Sequence, residues 1–213
     1  MPQQTTSVHH PLFARVYARL GSKAEDRGQA EHRRELLAGL SGRVVEVGAG
    51  NGLNFTHYPG TVSEVVAVEP ESYLREHAAE AASGAAVSVR VVDGVAERLP
   101  LDDSSVDAGV VSLVLCSVPD QDTALRELLR VIRPGGELRF YEHVVSRKGG
   151  AARIQGLADA TFWPTLGGGC HMARDTGKAI ERAGFIVEQS ERFSFDPAPL
   201  LNLPHIRGVA RRP

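Results

Sequence analysis

Cysteine is scarce in this chain of 213 residues. Only Cys116 and Cys170 occur, too few for a disulfide framework. Neither belongs to a Cys-x-x-Cys pair, the spacing that marks many zinc sites, so no metal is expected. A reducing, cytoplasmic setting fits. Charge of one sign is lacking too. The 24 basic and 26 acidic residues are interspersed, and the formal net charge is −2. That leaves no electrostatic case for nucleic acid or an anionic membrane as partner. The basic end, Arg207, Arg211 and Arg212, is short and reads as a solvated tail. Long apolar runs are missing. Residues 1–10 are polar and hold no signal-peptide core. The most apolar stretch, residues 106–118, is shorter than the roughly 20 residues that cross a bilayer. It reads as a buried strand and the loop after it. Internal repeats and long linkers are absent. The length suits one α/β domain with a full core, although length alone also allows two small ones.

What is present is alternation. Residues 11–40 read as helical, interrupted near Gly21 and Gly28, with Leu12, Phe13, Val16, Tyr17 and Leu20 on one face. Short β-branched runs follow at 43–47, 64–68, 85–92, 108–113 and 137–141. Helical patterns at 53–58, 72–82 and 123–132 lie between them. Such alternation predicts a mostly parallel sheet with helices on both faces. The end differs. A helix over 175–183 stops at Gly184, and strands at 185–192 and 205–210 follow with no helix between. They predict an antiparallel pair at the sheet edge.

The first strand ends in Glu46-Val47-Gly48-Ala49-Gly50-Asn51-Gly52. Glycine is needed where backbone turns tightly or a ligand approaches without room for a Cβ. A following helix N-terminus would offer free N–H groups to an anion. Dinucleotide loops favour Gly-x-Gly-x-x-Gly. This loop is one residue shorter and is preceded by an acid. That form suits the methionine end of S-adenosylmethionine, which has no pyrophosphate. A glycine-rich turn without ligand is the plain alternative. The second strand ends in Glu69, placed to accept hydrogen bonds from ribose hydroxyls. Asp93-Gly94-Val95-Ala96-Glu97 follows the third strand, where backbone amides would meet adenine.

The order of Glu46-x-Gly-x-Gly-x-Gly, Glu69, Ala96-Glu97-x-Leu99-Pro100, Asp107 and Leu129-x-x-x-x-Arg133-Pro134-Gly135-Gly136 resembles the class I S-adenosylmethionine-dependent methyltransferases over about residues 40–145. Asn54-Phe55-x-x-Tyr58-Pro59, Leu113-Val114-Leu115-Cys116-Ser117-Val118, Glu142-His143-Val144 and Gly169-Cys170 resemble a smaller group. It includes the animal thiol methyltransferases first named methyltransferase-like protein 7. The resemblance implies a Rossmann-like, doubly wound, seven-stranded sheet, mostly parallel with an antiparallel last strand. It implies residues 1–40 as a helical cofactor lid carrying Tyr17 and Phe13, and residues 41–213 as the methyltransferase domain. It implies S-adenosylmethionine as cofactor and S-adenosylhomocysteine as product. Glu46, Gly48, Ala49, Gly50, Asn51, Gly52 and Asn54 would surround the methionine moiety. Glu69 and Pro70 would meet the ribose, Val95, Ala96 and Glu97 the adenine, and Leu113 and Val114 the sulfonium. The animal proteins carry an N-terminal membrane anchor, which is not expected in this chain.

Methyl transfer is an in-line displacement whose leaving group is already good, so alignment and water exclusion are the protein's main tasks. A thiol acceptor needs little help, because its thiolate is a strong nucleophile. A hydroxyl needs a base. His143, at the end of strand five, and His171, beside Cys170, are the candidate bases; a structural histidine is the alternative for each. His9 and His10 are weaker candidates. Phe162, Trp163 and Pro164 are candidate walls of the acceptor pocket. The favoured reading is methylation of a small molecule, thiol before hydroxyl. A nicotinamide-dependent oxidoreductase and a non-catalytic cofactor-binding protein are the alternatives. The sequence does not address oligomeric state.

Overall fold

The computed structural model describes Ala14, residues 25–195 and residues 203–213. His9, His10, Phe13 and Tyr17 lie outside the described residues, and with them most of the expected lid. A wide turn, Glu25–Gln29, bends at Gly28, where φ is 109°, and leads into α1, Ala30–Leu37. Then come β1 (Gly42–Val47), β2 (Val62–Val68), α2 (Ser72–Ala82), β3 (Val89–Val92) and β4 (Val106–Ser112). They are followed by α3 (Gln121–Val131), β5 (Ile132–His143), α4 (Gly149–Asp159) and α5 (Trp163–Leu166). The chain closes with α6 (Thr176–Arg182), β6 (Ile186–Phe195) and β7 (Leu203–Arg211).

The strands form one seven-stranded sheet in the order β3-β2-β1-β4-β5-β7-β6. β1 to β5 run parallel, and the valines of β1, β2 and β4 are buried on both faces, as a covered parallel sheet requires, while those of β3 are only partly buried. Successive residues divide between two cores. Val45, Val47, Val66, Val68 and Val111 pack with Leu125 and Leu128 of α3 and Ile180 of α6. Val44, Val65, Ala67 and Val110 pack with Leu36 and Leu37 of α1 and Ala78 of α2. A helix in each layer, α2 in one and α3 in the other, starts on a side-chain cap. Glu71 accepts from the Leu74 N–H at 2.9 Å, and Asp120 accepts from the Thr123 N–H at 3.0 Å.

The expected antiparallel pair is present, with its order now resolved. β7 pairs antiparallel with both β5 and β6 and lies between them, so β6 forms the edge. One expectation needs correction. Residues 53–58 hold only a three-residue 3₁₀ turn, Phe55–His57, so the glycine loop opens no full helix whose N-terminus could bind an anion. After β5 the chain adds α4 and α5, for which the sequence pattern predicts no element.

β1 and β4 are neighbours although β2 and β3 intervene in sequence. This reversal of strand order leaves a crevice beyond their carboxyl ends, where open α/β sheets bind ligands. The glycine loop leaves β1 into that crevice, and residues 113–118 leave β4 into it.

Candidate active site

The backbone of the glycine loop is left-handed at every other residue. The φ angles are 66° at Gly48, 57° at Gly50 and 80° at Gly52. At Gly48 contact forbids a side chain as well. A Cβ there would stand 2.5 Å from Cγ2 of Val114, so the loops after β1 and β4 touch through this glycine. The Gly48 and Ala49 N–H groups donate to the Val68 carbonyl at 2.8 and 3.2 Å. Ala49 is buried, and Asn51 is partly exposed beside it.

Glu46 lies beneath the loop, 2 % exposed. Its oxygens accept from the Asn54 amide at 2.8 Å and the Tyr58 hydroxyl at 2.7 Å. Burial pushes its carboxyl up to about 7, against the pull of those two hydrogen bonds and of Arg33. Arg33 of α1 is itself buried. It pairs with Glu25 at 2.8 Å and donates to the Asn54 Oδ1 at 2.9 Å and the Ser112 hydroxyl at 3.2 Å. One buried network thus ties α1, the glycine loop and the end of β4 together.

Glu69 closes the other side. One oxygen accepts from the Gly50 N–H at 2.8 Å and the other from the Glu71 N–H at 3.0 Å. Each oxygen keeps acceptor capacity beyond that bond, which is the chemistry a pair of ribose hydroxyls needs. Burial holds its carboxyl above the usual range. Pro70 follows at the turn, half-buried. Beyond β3, Val95 and Arg98 form a small bridge, Ala96 is buried, and Glu97 accepts from the Asp120 N–H at 3.2 Å. The cradle, its left-handed glycines and the flanking acid fit S-adenosylmethionine.

Toward β5 the crevice ends in a cluster of different character. Glu142 is fully buried, and its oxygens accept from the N–H groups of Val114 at 3.0 Å, Leu115 at 3.0 Å and Cys116 at 3.1 Å. Burial pushes this carboxyl to about 7 despite those three bonds. Leu113 adopts a left-handed φ of 62° at the start of the clamped segment. His143 is the last residue of β5, rather than just past it, and its Nδ1 lies 3.4 Å from the Cys170 sulfur and 3.8 Å from the Cys116 sulfur. The hydrogen bond between the two thiols pushes Cys116 up, with burial adding to the rise, and holds Cys170 down, where the hydrogen bond to His143 adds to the fall against burial. The His171 N–H donates to the Cys116 carbonyl at 2.7 Å, which fixes the loop. Trp163 packs against this group, whereas Phe162 is 54 % exposed.

The structure therefore gathers Glu46, the glycine loop, Asn54, Glu69 and Val114 around one crevice. It places His143 against the two cysteines at the end of the segment that begins with Leu113 and Val114. Sequence reasoning missed Glu142, Arg33 and the convergence of Cys116 with Cys170. Glu142 had one available signal, a carboxylate next to a candidate histidine at a strand end. Arg33 had none, since it sits in a run of polar residues.

The model of the methyltransferase domain family matches residues 45–140. The thiol S-methyltransferase TMT1B of Mus musculus is 38% identical, the match covering 93% of this chain and 82% of that protein. The human thiol S-methyltransferase TMT1A is 35% identical, with 85% and 78% covered. The chain belongs to this methyltransferase family. Among solved structures, a geranyl diphosphate methyltransferase in complex with S-adenosylmethionine superimposes with a TM-score of 0.71 at 15% identity, covering 99% of this chain and 95% of the other. The chain is therefore an S-adenosylmethionine-dependent methyltransferase on a Rossmann-like sheet, and the oxidoreductase and non-catalytic readings fall away. Among the described residues, no helix is long and apolar enough to cross a membrane.

Proposed function

We propose that this methyltransferase transfers the methyl group of S-adenosylmethionine to the sulfur of a small-molecule thiol. The observation that carries the reading is the family match over most of the chain to proteins named for thiol S-methylation. The site's geometry supports it. Val114 touches the glycine loop, and Cys116, two residues on, touches His143. One short segment thus links the cofactor crevice to a sulfur-rich end.

The bound cofactor supplies a methyl group on a sulfonium. Gly48, Ala49, Gly50, Asn51 and Gly52 wrap the methionine moiety, with Glu46 and Asn54 holding the loop from below. Glu69 and Pro70 meet the ribose. Val95, Ala96 and Glu97 border the adenine, and Leu113 and Val114 border the reacting carbon. Proton removal belongs to the His143 end, with His171 beside it. The apolar side chains exposed on α4, on α5 and at the turn between them, Ile154, Leu157, Leu166 and Phe162, favour an apolar acceptor approaching from that side.

Incubation with S-adenosylmethionine and a panel of small alkyl and aryl thiols, phenols and amines tests this. Mass spectrometry should find S-methyl products. Products from phenols or amines with none from thiols would overturn the acceptor class.

A further inference from the structure

The cluster at the end of the crevice brings three metal-ligating atoms to one point. The Cys116 and Cys170 sulfurs both face the same ring nitrogen, Nδ1 of His143, at 3.8 and 3.4 Å. Two soft sulfur donors and an imidazole nitrogen converging in this way are the donor set of a zinc site. All three donor atoms lie within 4.8 Å of one another. Zinc bonds of about 2.3 Å to sulfur and about 2.0 Å to nitrogen give a tetrahedral sulfur–nitrogen edge of about 3.5 Å. The two observed separations straddle that length.

The three donors come from three separate segments, and each is held by its own backbone constraint. The Glu142 carboxylate clamps the N–H groups of residues 114–116. His143 ends β5, opposite His205 of β7. Cys170 follows Gly168 and Gly169, whose φ angles are 60° and 90°. A Cβ on Gly169 would stand 2.9 Å from the Ser117 carbonyl oxygen, so only glycine lets the Cys170 loop approach the Cys116 loop this closely. The surroundings are apolar: Ala158, Met172, Leu203 and Trp163 pack around the two buried cysteines. Two thiolates and a neutral imidazole balance a divalent charge, so the assembled centre suits such a pocket better than free thiolates would.

We infer that Cys116, His143 and Cys170 form a zinc site whose fourth position takes the acceptor sulfur. Thiolate donors select zinc over magnesium or calcium, and three protein ligands with one open position are the pattern of catalytic zinc. The inference rests on the thiol reading above and replaces a general base with a metal. The acceptor thiol releases its proton to solvent and binds zinc as a thiolate. A lone pair of that sulfur forms the new bond to the methyl carbon. The bond from that carbon to the sulfonium breaks, and its electron pair stays on what becomes neutral S-adenosylhomocysteine. The thioether product carries no charge and dissociates from the metal.

Zinc content decides the first half. Wild-type protein reconstituted with zinc and dialysed should retain about one zinc per chain, and Cys170→Ser or His143→Gln far less. Full occupancy in these variants, or none in wild type, overturns the site. Should a variant fail to fold, cobalt substitution of wild type keeps the question open to test, because ligation by cysteine gives thiolate-to-cobalt charge-transfer bands. Their absence overturns the site. In the presence of S-adenosylhomocysteine, a small alkyl thiol should shift those bands; unshifted bands overturn the acceptor position. Chelator-stripped enzyme should lose at least about tenfold in thiol methylation and regain it with zinc. Undiminished activity in zinc-free protein sinks the zinc inference and leaves the thiol reading intact. Stoichiometric zinc with no thiol methylated sinks the thiol reading and leaves the metal site.

Discussion

Single residues in this protein carry free energy in ways that pH can expose. Glu46 is the clearest case, because burial raises its carboxyl to about 7 against an ordinary 4.5. Between those values the folded protein keeps a proton that the unfolded chain has lost. Glu46 therefore contributes stability that is full below 4.5 and is lost as pH rises through about 7. A Glu46→Gln variant removes this titration. Its amide can still accept from Asn54 and can donate to the Tyr58 hydroxyl, which accepts as well as donates. Wild type should lose more unfolding free energy than Glu46→Gln between about pH 5 and about pH 8. Urea titrations at both ends measure it, and equal losses would show that Glu46 does not titrate in this window. Glu69 and Glu142 shift in the same direction but remain in both proteins, so the difference isolates one side chain.

Elements were legible in the sequence to the degree that their residues announce a period. The β-branched runs of β1, β2 and β4 and the capped helices α2 and α3 fall where the pattern placed them, within a few residues. α4 was not legible, because Gly149 and Gly150 open it and Gly156 interrupts it, and glycine has poor helix propensity. The order of β6 and β7 was not legible either, since alternation tells which residues share a face but not which strand is a neighbour. Packing records that order at Gly208 of β7. A Cβ there would collide with the Gln189 carbonyl of β6 and stand 2.6 Å from Cζ of Phe140 on β5. Gly208→Ala should thus cost about 1–3 kcal/mol by overpacking between two strands. Chemical denaturation checks it. An unchanged midpoint would mean that β7 is not squeezed between β5 and β6 as the strand order requires.

At the scale of the whole molecule, the site is a consequence of strand order. β1 and β4 become neighbours only after the chain has gone out to β3 and back, and both loops that form the crevice leave at that reversal. The cofactor half was readable because its chemistry sits in contiguous motifs, the glycine loop and the acid ending β2. The acceptor half was not, because Cys116, His143 and Cys170 are separated by 27 residues at each step and meet only in the folded chain. A ligand held by both loops should bind the folded state alone. It then stabilises the fold by RT ln(1 + [L]/Kd), about 2.7 kcal/mol at a hundredfold excess over Kd. For a chain of this length each kcal/mol raises the melting temperature by about 2–4 °C. S-adenosylhomocysteine at that excess should therefore raise it by roughly 5–10 °C, and NAD at the same concentration should not move it. A thermal-shift titration reads both. A rise with NAD and none with S-adenosylhomocysteine would overturn the assignment of the crevice, because the short glycine spacing excludes a pyrophosphate only if the methionine moiety is what the loop was built to hold.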